Sequence, residues 1–243
     1  MEATMSGLRI PEYVHGAAAQ GGSVVLNLRS GRWYSLNATA EQLWHELRRT
    51  GDLDEAVRTV AAGYPPHWTE RIRADAKRLV TELADRRLIV LDSRLEPPRA
   101  ERSRGPSTPA IAQELVTGGT PRGRARVALV LSLVLLRLPF RWTVWFVTVA
   151  KRRWCRAEAT VTETAEILVA VAAVASGYPG RLACLENSLS AVLTAILGRR
   201  RMDWTIGVAD DPIRFHAWVE TAGVPVLPAP EPDFHEYRRV LTL

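Results

Sequence analysis

Cysteine is scarce in this sequence, and the scarcity limits its sulfur chemistry. Only Cys155 and Cys184 occur among 243 residues. Two cysteines are too few for a disulfide framework, and their spacing matches no metal site. The first seven residues are polar, and no apolar segment typical of a secretory signal follows them. We therefore expect a cytoplasmic protein without a bound metal.

Long apolar runs are also lacking. A transmembrane helix needs about 20 apolar residues, whereas the two apolar segments here, 127–136 and 142–150, flank the sequence RLPFR. Each arginine at the centre of a span costs about 2.5–3.5 kcal/mol, so the pattern disfavours a span. We predict two buried or partly buried helices broken at the proline, and no membrane contact. The alternative is a peripheral membrane contact through Trp142, Trp145 and Phe146.

Acidic residues are outnumbered by basic ones. The formal net charge is +6, and almost all of the positive charge is arginine. Arginine suits carboxylates and phosphates, but net charge alone does not indicate nucleic-acid binding. The hydrophobic share of 47% and the charged share of 24% are those of a globular protein. The length allows one large domain or two small ones.

A stretch rich in Pro, Gly, Ser and Arg divides the chain at residues 94–123. Such a composition cannot bury a core, so it predicts a linker. We therefore predict an N-terminal domain at 1–93 and a C-terminal domain at 124–243.

The N-terminal domain begins with a hairpin pattern. SVVLNL (23–28) and RWYSLN (32–37) are β-rich and flank an Arg-Ser-Gly turn, and a weaker strand lies near 12–17. Three segments with apolar residues at helical spacing follow. This α+β order predicts a winged-helix-like domain, a small antiparallel sheet plus three helices. Its third helix mixes both signs of charge, so we expect no nucleic-acid binding.

The segment SVVLNLRSGRWYSLNATAEQLWHEL resembles the PqqD-like leader-recognition domain of ribosomal-peptide biosynthesis. The resemblance implies that a precursor's leader peptide adds as a strand beside the last hairpin strand and packs on the third helix. Backbone hydrogen bonds then supply the pairing, and side-chain pockets supply the specificity. The implied leader contacts are Arg32, Trp33, Tyr34, Ser35, Leu36, Arg71, Asp75, Arg78 and Leu79. The alternative for the strand's aromatic and apolar residues is plain packing within the hairpin.

The C-terminal domain places a cysteine at the start of a helix. In CLENSLSAVLTAILG, apolar residues recur at helical spacing from Leu185 to Ile196, and Gly198 follows as a C-cap. Amides at a helix N-terminus stabilise a thiolate, and the Cys184 N–H can point where an oxyanion develops. The alternative is that Cys184 is a small buried hydrophobe.

A histidine follows on a second predicted hairpin. DWTIGVA (203–209) and RFHAWVE (214–220) are β-rich runs joined by a short turn, so we predict an antiparallel hairpin packed behind the helix. His216 is a candidate base for the thiol, and Trp218 lies on the same strand face. This order of cysteine and histidine is that of papain-like and transglutaminase-like enzymes. The alternative is a core histidine with one hydrogen bond. Cys155 lacks the helix-start context and is expected to be structural.

CLENSLSAVLTAILGRRR, DWTIGV and FHAWVE together resemble the leader peptidase of lasso-peptide biosynthesis, the B protein, which has a transglutaminase-like core. With the leader-recognition domain in front, the chain resembles the fused, two-domain form. The resemblance implies a papain/transglutaminase-like domain of helices plus an antiparallel sheet. It further implies that Cys184 attacks the leader–core carbonyl, that His216 takes the thiol proton, and that no cofactor takes part. The implied partners are the precursor peptide, leader and core, and an ATP-dependent, asparagine-synthetase-like lasso cyclase.

One position departs from the family pattern. Where the family has the acid that orients the imidazole, this chain has Pro228. Glu231 or Asp233 fills that role if the proline-rich segment bulges, and the alternative is that both are exposed loop acids. Two further function classes stay open: a non-catalytic leader-binding scaffold, and a transglutaminase that passes the acyl group to an amine instead of water.

Overall fold

The computed structural model describes residues 7–19, 21–91, 110–111, 122–180, 182–210 and 213–243. The chain divides into two compact units. The first comprises Met1–Leu28 and Arg32–Arg104, and the second comprises Arg29–Gly31 and Gly105–Leu243. The predicted linker at 94–123 lies almost entirely outside the described residues, so its boundaries stay a prediction.

The first unit packs three helices on a small antiparallel sheet, as the sequence predicted. Its elements are β1 (Leu8–Arg9), β2 (Val14–Ala19), β3 (Gly22–Asn27), β4 (Arg32–Asn37), α1 (Ala38–Thr50), α2 (Leu53–Ala61), a 3-10 turn (Pro66–Trp68), α3 (Thr69–Asp85) and β5 (Val90–Leu91). The sheet order is β2-β3-β4, and β1 pairs separately with β5. The predicted hairpin of β3 and β4 is therefore confirmed.

Local capping explains where the first two helices begin. The Asn37 side chain accepts a hydrogen bond from the Ala40 N–H at 2.9 Å, and Asp52 accepts one from the Glu55 N–H at 2.9 Å. Each bond satisfies a backbone donor that has no intrahelical partner. Gly51 ends α1 with φ of 67°, in the left-handed region that glycine adopts without strain. The apolar faces of the helices then close the core on Val25 and Leu36 of the sheet.

The second unit combines four helices with a larger sheet. Its elements are β6 (Ala110–Ile111), α4 (Arg122–Leu135), α5 (Phe140–Trp154), β7 (Ala157–Glu158), α6 (Val161–Ala175), α7 (Cys184–Leu197), β8 (Arg200–Arg201), β9 (Asp203–Ala209), β10 (Arg214–Thr221), β11 (Val224–Leu227), a 3-10 turn (Phe234–Glu236) and β12 (Arg238–Thr242). The sheet order is β12-β9-β10-β11-β6. β9 and β10 pair antiparallel, as predicted, and place His216 directly opposite Gly207.

Helix α7 is the centre of the second unit. It is buried continuously from Ser188 to Ile196 and contacts both the sheet and the surrounding helices. Buried hydrogen bonds fix it on two sides: Ser190 Oγ lies 2.8 Å from Ser132 Oγ of α4, and Trp204 Nε1 of β9 donates to Ser188 Oγ at 2.9 Å. A helix held this way presents its first residue in a fixed position.

The two apolar segments form separate helices, as predicted, with the break at Pro139. Each of α4 and α5 buries only one face. Within the part of the chain that the structure describes, no helix has the length and apolar character required to cross a bilayer.

Candidate active site and leader-binding edge

Cys184 is the first residue of α7. The Ala183 N–H just before it donates to Glu186 Oε2 at 3.0 Å, which closes the helix start with a side chain from its own first turn. The N–H groups of the first turn have no intrahelical acceptors, so a ligand oxygen or a thiolate can take them. The sequence predicted this helix-start position, and the structure places the half-buried thiol there.

His216 lies on β10, which packs directly on α7. Its side chain is 16% exposed. The Trp218 indole stacks beside the imidazole, with the ring centroids 6.0 Å apart and the planes inclined by 16°. The indole extends over Gly207 of β9, where an added Cβ would lie 2.5 Å from Trp218 Cη2. Only glycine at that position leaves room for the indole, so β9 helps to fix the ring that packs on His216.

A buried ion pair holds Trp218 in turn. Glu220, 4% exposed in its side chain, accepts at Oε1 from Trp218 Nε1 and from Arg239 Nε, both at 2.7 Å. One face of β10 carries His216, Trp218 and Glu220, which occupy every second position of the strand. Arg239 extends to that face from β12. The pair therefore orients the indole, and the indole limits where the imidazole can move.

Of the two predicted acids, Glu231 is the one that the structure places beside the histidine. Glu231 Oε2 lies 3.6 Å from His216 Nε2. Asp233 lies instead 3.6 Å from the Arg214 guanidinium, with its side chain 60% exposed. The chain leaves β11 at Leu227, passes through the exposed Pro228 and returns to the imidazole at Glu231. The proline-rich segment thus makes the bulge that a displaced acid requires.

The environment favours a neutral imidazole at His216. Burial lowers its pKa below the ordinary value of 6.5, and the nearby negative charge of Glu231 raises it in partial compensation. Among the described residues no hydrogen bond to His216 Nδ1 is formed. With Glu231 at Nε2, Nδ1 is the ring nitrogen left to accept a proton.

Tyr237 is a site residue that the sequence reasoning missed. Its ring lies 5.1 Å from the His216 ring, centroid to centroid. Burial raises the pKa of the Tyr237 phenol, Arg214 lowers it, and the charges of Glu231 and Cys184 raise it again. No sequence signal marks this tyrosine, because it follows the histidine by a turn, a loop and an irregular segment.

The other cysteine has a structural environment. Cys155 Sγ donates to the Arg200 carbonyl oxygen at 3.1 Å, beyond the end of α5. Burial raises the pKa of this thiol, while Lys151 and Arg201 act in the opposite direction. Across the described ranges, no group of three or more His, Cys, Asp or Glu side chains could hold a metal ion.

In the first unit, β4 is an edge strand of its sheet, because it pairs only with β3 among the described strands. Arg32 and Ser35 are exposed, Trp33 and Tyr34 are half-buried, and the Leu36 side chain is 6% exposed within the core. The Leu36 side chain therefore packs within the domain, as the alternative had it.

The predicted helix contacts form a stripe on α3. Arg71, Asp75 and Arg78 are exposed at helical spacing, and Leu79 is half-buried against the core. The end of α3 lies against β4, where the Arg86 guanidinium stacks 5.1 Å from the Tyr34 ring. The C-terminal end of α3 and the edge strand β4 are thus neighbours in the first unit. Whether a leader peptide contacts these nine residues stays a prediction.

Comparison with known protein families finds a similarity in each unit. The family model described as Transglutaminase-like superfamily matches residues 127–242, and the model described as Coenzyme PQQ synthesis protein D (PqqD) matches residues 22–89. No curated protein and no solved structure matches the chain. The matches confirm the α+β, two-domain fold class. One chain thus carries a segment similar to PqqD followed by a segment similar to the transglutaminase-like superfamily, an order that matches the fused lasso-peptide B protein.

Proposed function

We propose that this chain is a leader peptidase of lasso-peptide biosynthesis, which binds the precursor's leader and hydrolyses the leader–core peptide bond. The coarser role, processing of a ribosomally made precursor, fits both matched domains. One observation supports the catalytic part: β10, which carries His216, packs on α7, which begins at Cys184, and Glu231 lies near the far ring nitrogen. This arrangement has a nucleophile, a base and a group that orients the base.

In the proposed reaction, His216 Nδ1 takes the Cys184 proton, and the sulfur attacks the carbonyl carbon that joins leader to core. The tetrahedral intermediate collapses when the C–N bond breaks, and the imidazolium returns the proton to the departing core amine. Water, deprotonated by His216, then attacks the thioester and releases the leader as a carboxylic acid. The thiol is regenerated, and the net change is hydrolysis of one peptide bond.

We assign positioning of the base to Glu231. A carboxylate near Nε2 favours the tautomer that carries its proton there, which leaves the Nδ1 lone pair for the thiol. The 3.6 Å separation is longer than a hydrogen bond. Catalytic contacts of this kind often tighten when substrate binds.

We assign Tyr237 to the developing oxyanion. The raised pKa keeps the phenol protonated, so its hydroxyl can donate a hydrogen bond. Together with the Cys184 backbone N–H at the helix start, it would give the intermediate two donors.

We assign leader binding to the open edge of β4 and the exposed stripe of α3. A peptide strand added at β4 would lie within reach of Arg71, Asp75 and Arg78. The freed core would then pass to the ATP-dependent cyclase, whose interaction with this chain is part of the same proposal.

The test is cleavage of a candidate precursor, encoded beside this protein's gene, followed by mass spectrometry. We expect Cys184→Ala to stop cleavage while leader binding, measured by fluorescence polarisation, stays unchanged. Cys155→Ala is the matched control and should cleave normally. Cleavage by Cys184→Ala at the wild-type rate would remove the nucleophile from the proposal.

A paired experiment addresses the leader-binding edge. Arg78→Ala should weaken leader binding, whereas Arg73→Ala, on the opposite side of α3, should not. Equal affinities for the two variants would place the leader elsewhere.

The same assays separate the other two functions. A scaffold would bind the leader without cutting the precursor, and rapid Cys184 alkylation that depends on His216 would argue against it. A transglutaminase would join the acyl group to an added amine, and the mass of the product distinguishes that adduct from the hydrolysed acid.

A further inference from the structure

One surface of the second unit is apolar although it is exposed. Seven large apolar side chains lie on the outward sides of α4, α5 and the loop between them: Val127, Val130, Val134, Leu138, Trp142, Trp145 and Val149. We call these seven residues the hairpin face. The most exposed of them, Val130, Trp145 and Val134, are 61%, 57% and 54% accessible. Exposed apolar side chains grouped on one side of each of two consecutive helices point to an interaction surface.

The hairpin face is not needed for folding, because each helix already buries its other side. In α4, small residues such as Ala125 and Ala128 face the core, and in α5 Val147 and Ala150 do so. The large valines and tryptophans recur at three- and four-residue spacing on the opposite sides. Helices α4 and α5 are therefore apolar on both sides. Packing within the second unit accounts for the buried side of each helix, but not for the exposed one.

The charge around the hairpin face has one sign. No Asp or Glu occurs between Glu114 and Glu158. The exposed arginines of this segment include Arg126, Arg137, Arg141, Arg152 and Arg153, and within the described structure none of these five forms an ion pair. Unpaired cations beside an apolar surface fit a partner that is negatively charged and apolar at once.

The tryptophans and arginines are interleaved on α5. The Trp142 and Trp145 rings meet edge to face at 6.1 Å, and the Arg141 guanidinium lies 5.6 Å from the Trp142 ring centroid. Tryptophan is enriched at the headgroup level of membranes, and arginine reaches phosphates from an apolar surface.

We propose that the hairpin face binds peripherally to an anionic phospholipid surface. The sequence predicted no membrane contact, with a peripheral contact through Trp142, Trp145 and Phe146 as the alternative, and the structure exposes the two tryptophans of that set. A peripheral helix pair needs only one apolar side flanked by basic residues, and the structure places both on the outside. The valines and tryptophans would enter the boundary of the acyl chains, and the five arginines would lie among the lipid phosphates.

The test is co-sedimentation of the full-length protein with vesicles. We expect binding to vesicles of phosphatidylcholine mixed with phosphatidylglycerol, weaker binding to phosphatidylcholine alone, and weaker binding at high salt. The double variant Trp142→Ser/Trp145→Ser should lose binding. Trp68→Ser is the control, because Trp68 is 41% exposed on the first unit and should not enter the lipid.

The charge contribution is tested by Arg141→Gln and Arg152→Gln. Each removed arginine should weaken binding to the anionic vesicles about fivefold, whereas Arg58→Gln in the first unit should have no effect. If the protein binds neither kind of vesicle, the proposal is wrong. A change in oligomeric mass in the tryptophan variant without a change in lipid binding would also overturn it, because the hairpin face would then be an interface between copies of the chain. Precursor cleavage in solution is a separate readout and should stay normal in all of these variants.

Discussion

Substitution of Arg239 by methionine should destabilise the second unit strongly. The change keeps most of the side-chain length but leaves Glu220, whose side chain is 4% exposed, without its cation. Removing one partner of a buried ion pair costs about 3–5 kcal/mol, and the lower end applies because Arg239 is partly exposed. With about 2–8 °C of Tm per kcal/mol for units of this size, the Tm should fall by roughly 10 °C.

The neighbouring Arg238 provides a matched control. Its side chain is 52% exposed and pairs with Asp210 at 3.2 Å. A surface pair of this kind contributes about 0–1 kcal/mol, so Arg238→Met should change Tm by only a few degrees. The measurement is thermal unfolding followed by circular dichroism, with the full-length chain in each case.

The double variant Glu220→Gln/Arg239→Met tests whether the uncompensated charge of Glu220 causes the loss of stability. A neutral amide does not leave a charge uncompensated, and its oxygen can still accept from Trp218 Nε1, so the double variant should melt above Arg239→Met. Our account of Glu220 is refuted if Arg239→Met and Arg238→Met have the same Tm. It is also refuted if the double variant has the lowest Tm of the three.

Two further predictions concern the catalytic assignment. Because Glu231 raises the pKa of His216, Glu231→Gln should lower that pKa, and the acid limb of the cleavage rate should move to lower pH. Asp233→Asn should leave the limb in place, and identical pH profiles for both variants would contradict the assignment. Tyr237→Phe should lower kcat by about a hundredfold with little change in KM, as loss of an oxyanion donor does. The rate of Cys184 alkylation should stay normal in that variant, and a parallel fall in alkylation would indicate a structural role for the phenol.

Local patterns in the sequence were sufficient for the elements that hold the site. The β3–β4 hairpin, the β9–β10 hairpin and the start of α7 at Cys184 all follow from residues a few positions apart. Helix periodicity and turn chemistry act over such short distances, so they predict these elements without any knowledge of the tertiary contacts.

Contacts between distant residues required the folded chain. The family position for the orienting acid is Pro228, and only the path of the loop after β11 decides that Glu231 returns to the imidazole while Asp233 pairs with Arg214. Tyr237 has no sequence signal, because its proximity to His216 depends on how the chain after β11 folds back against β10.

The sequence by itself determined the order of the two domains, their secondary structure and the candidate thiol and imidazole. Tertiary structure decided that Glu231 and Tyr237 lie beside the imidazole of His216. It also decided which apolar helix faces are exposed to solvent. The physical reason is that propensity and periodicity depend on neighbours along the chain, whereas exposure and catalytic proximity depend on how separate elements pack.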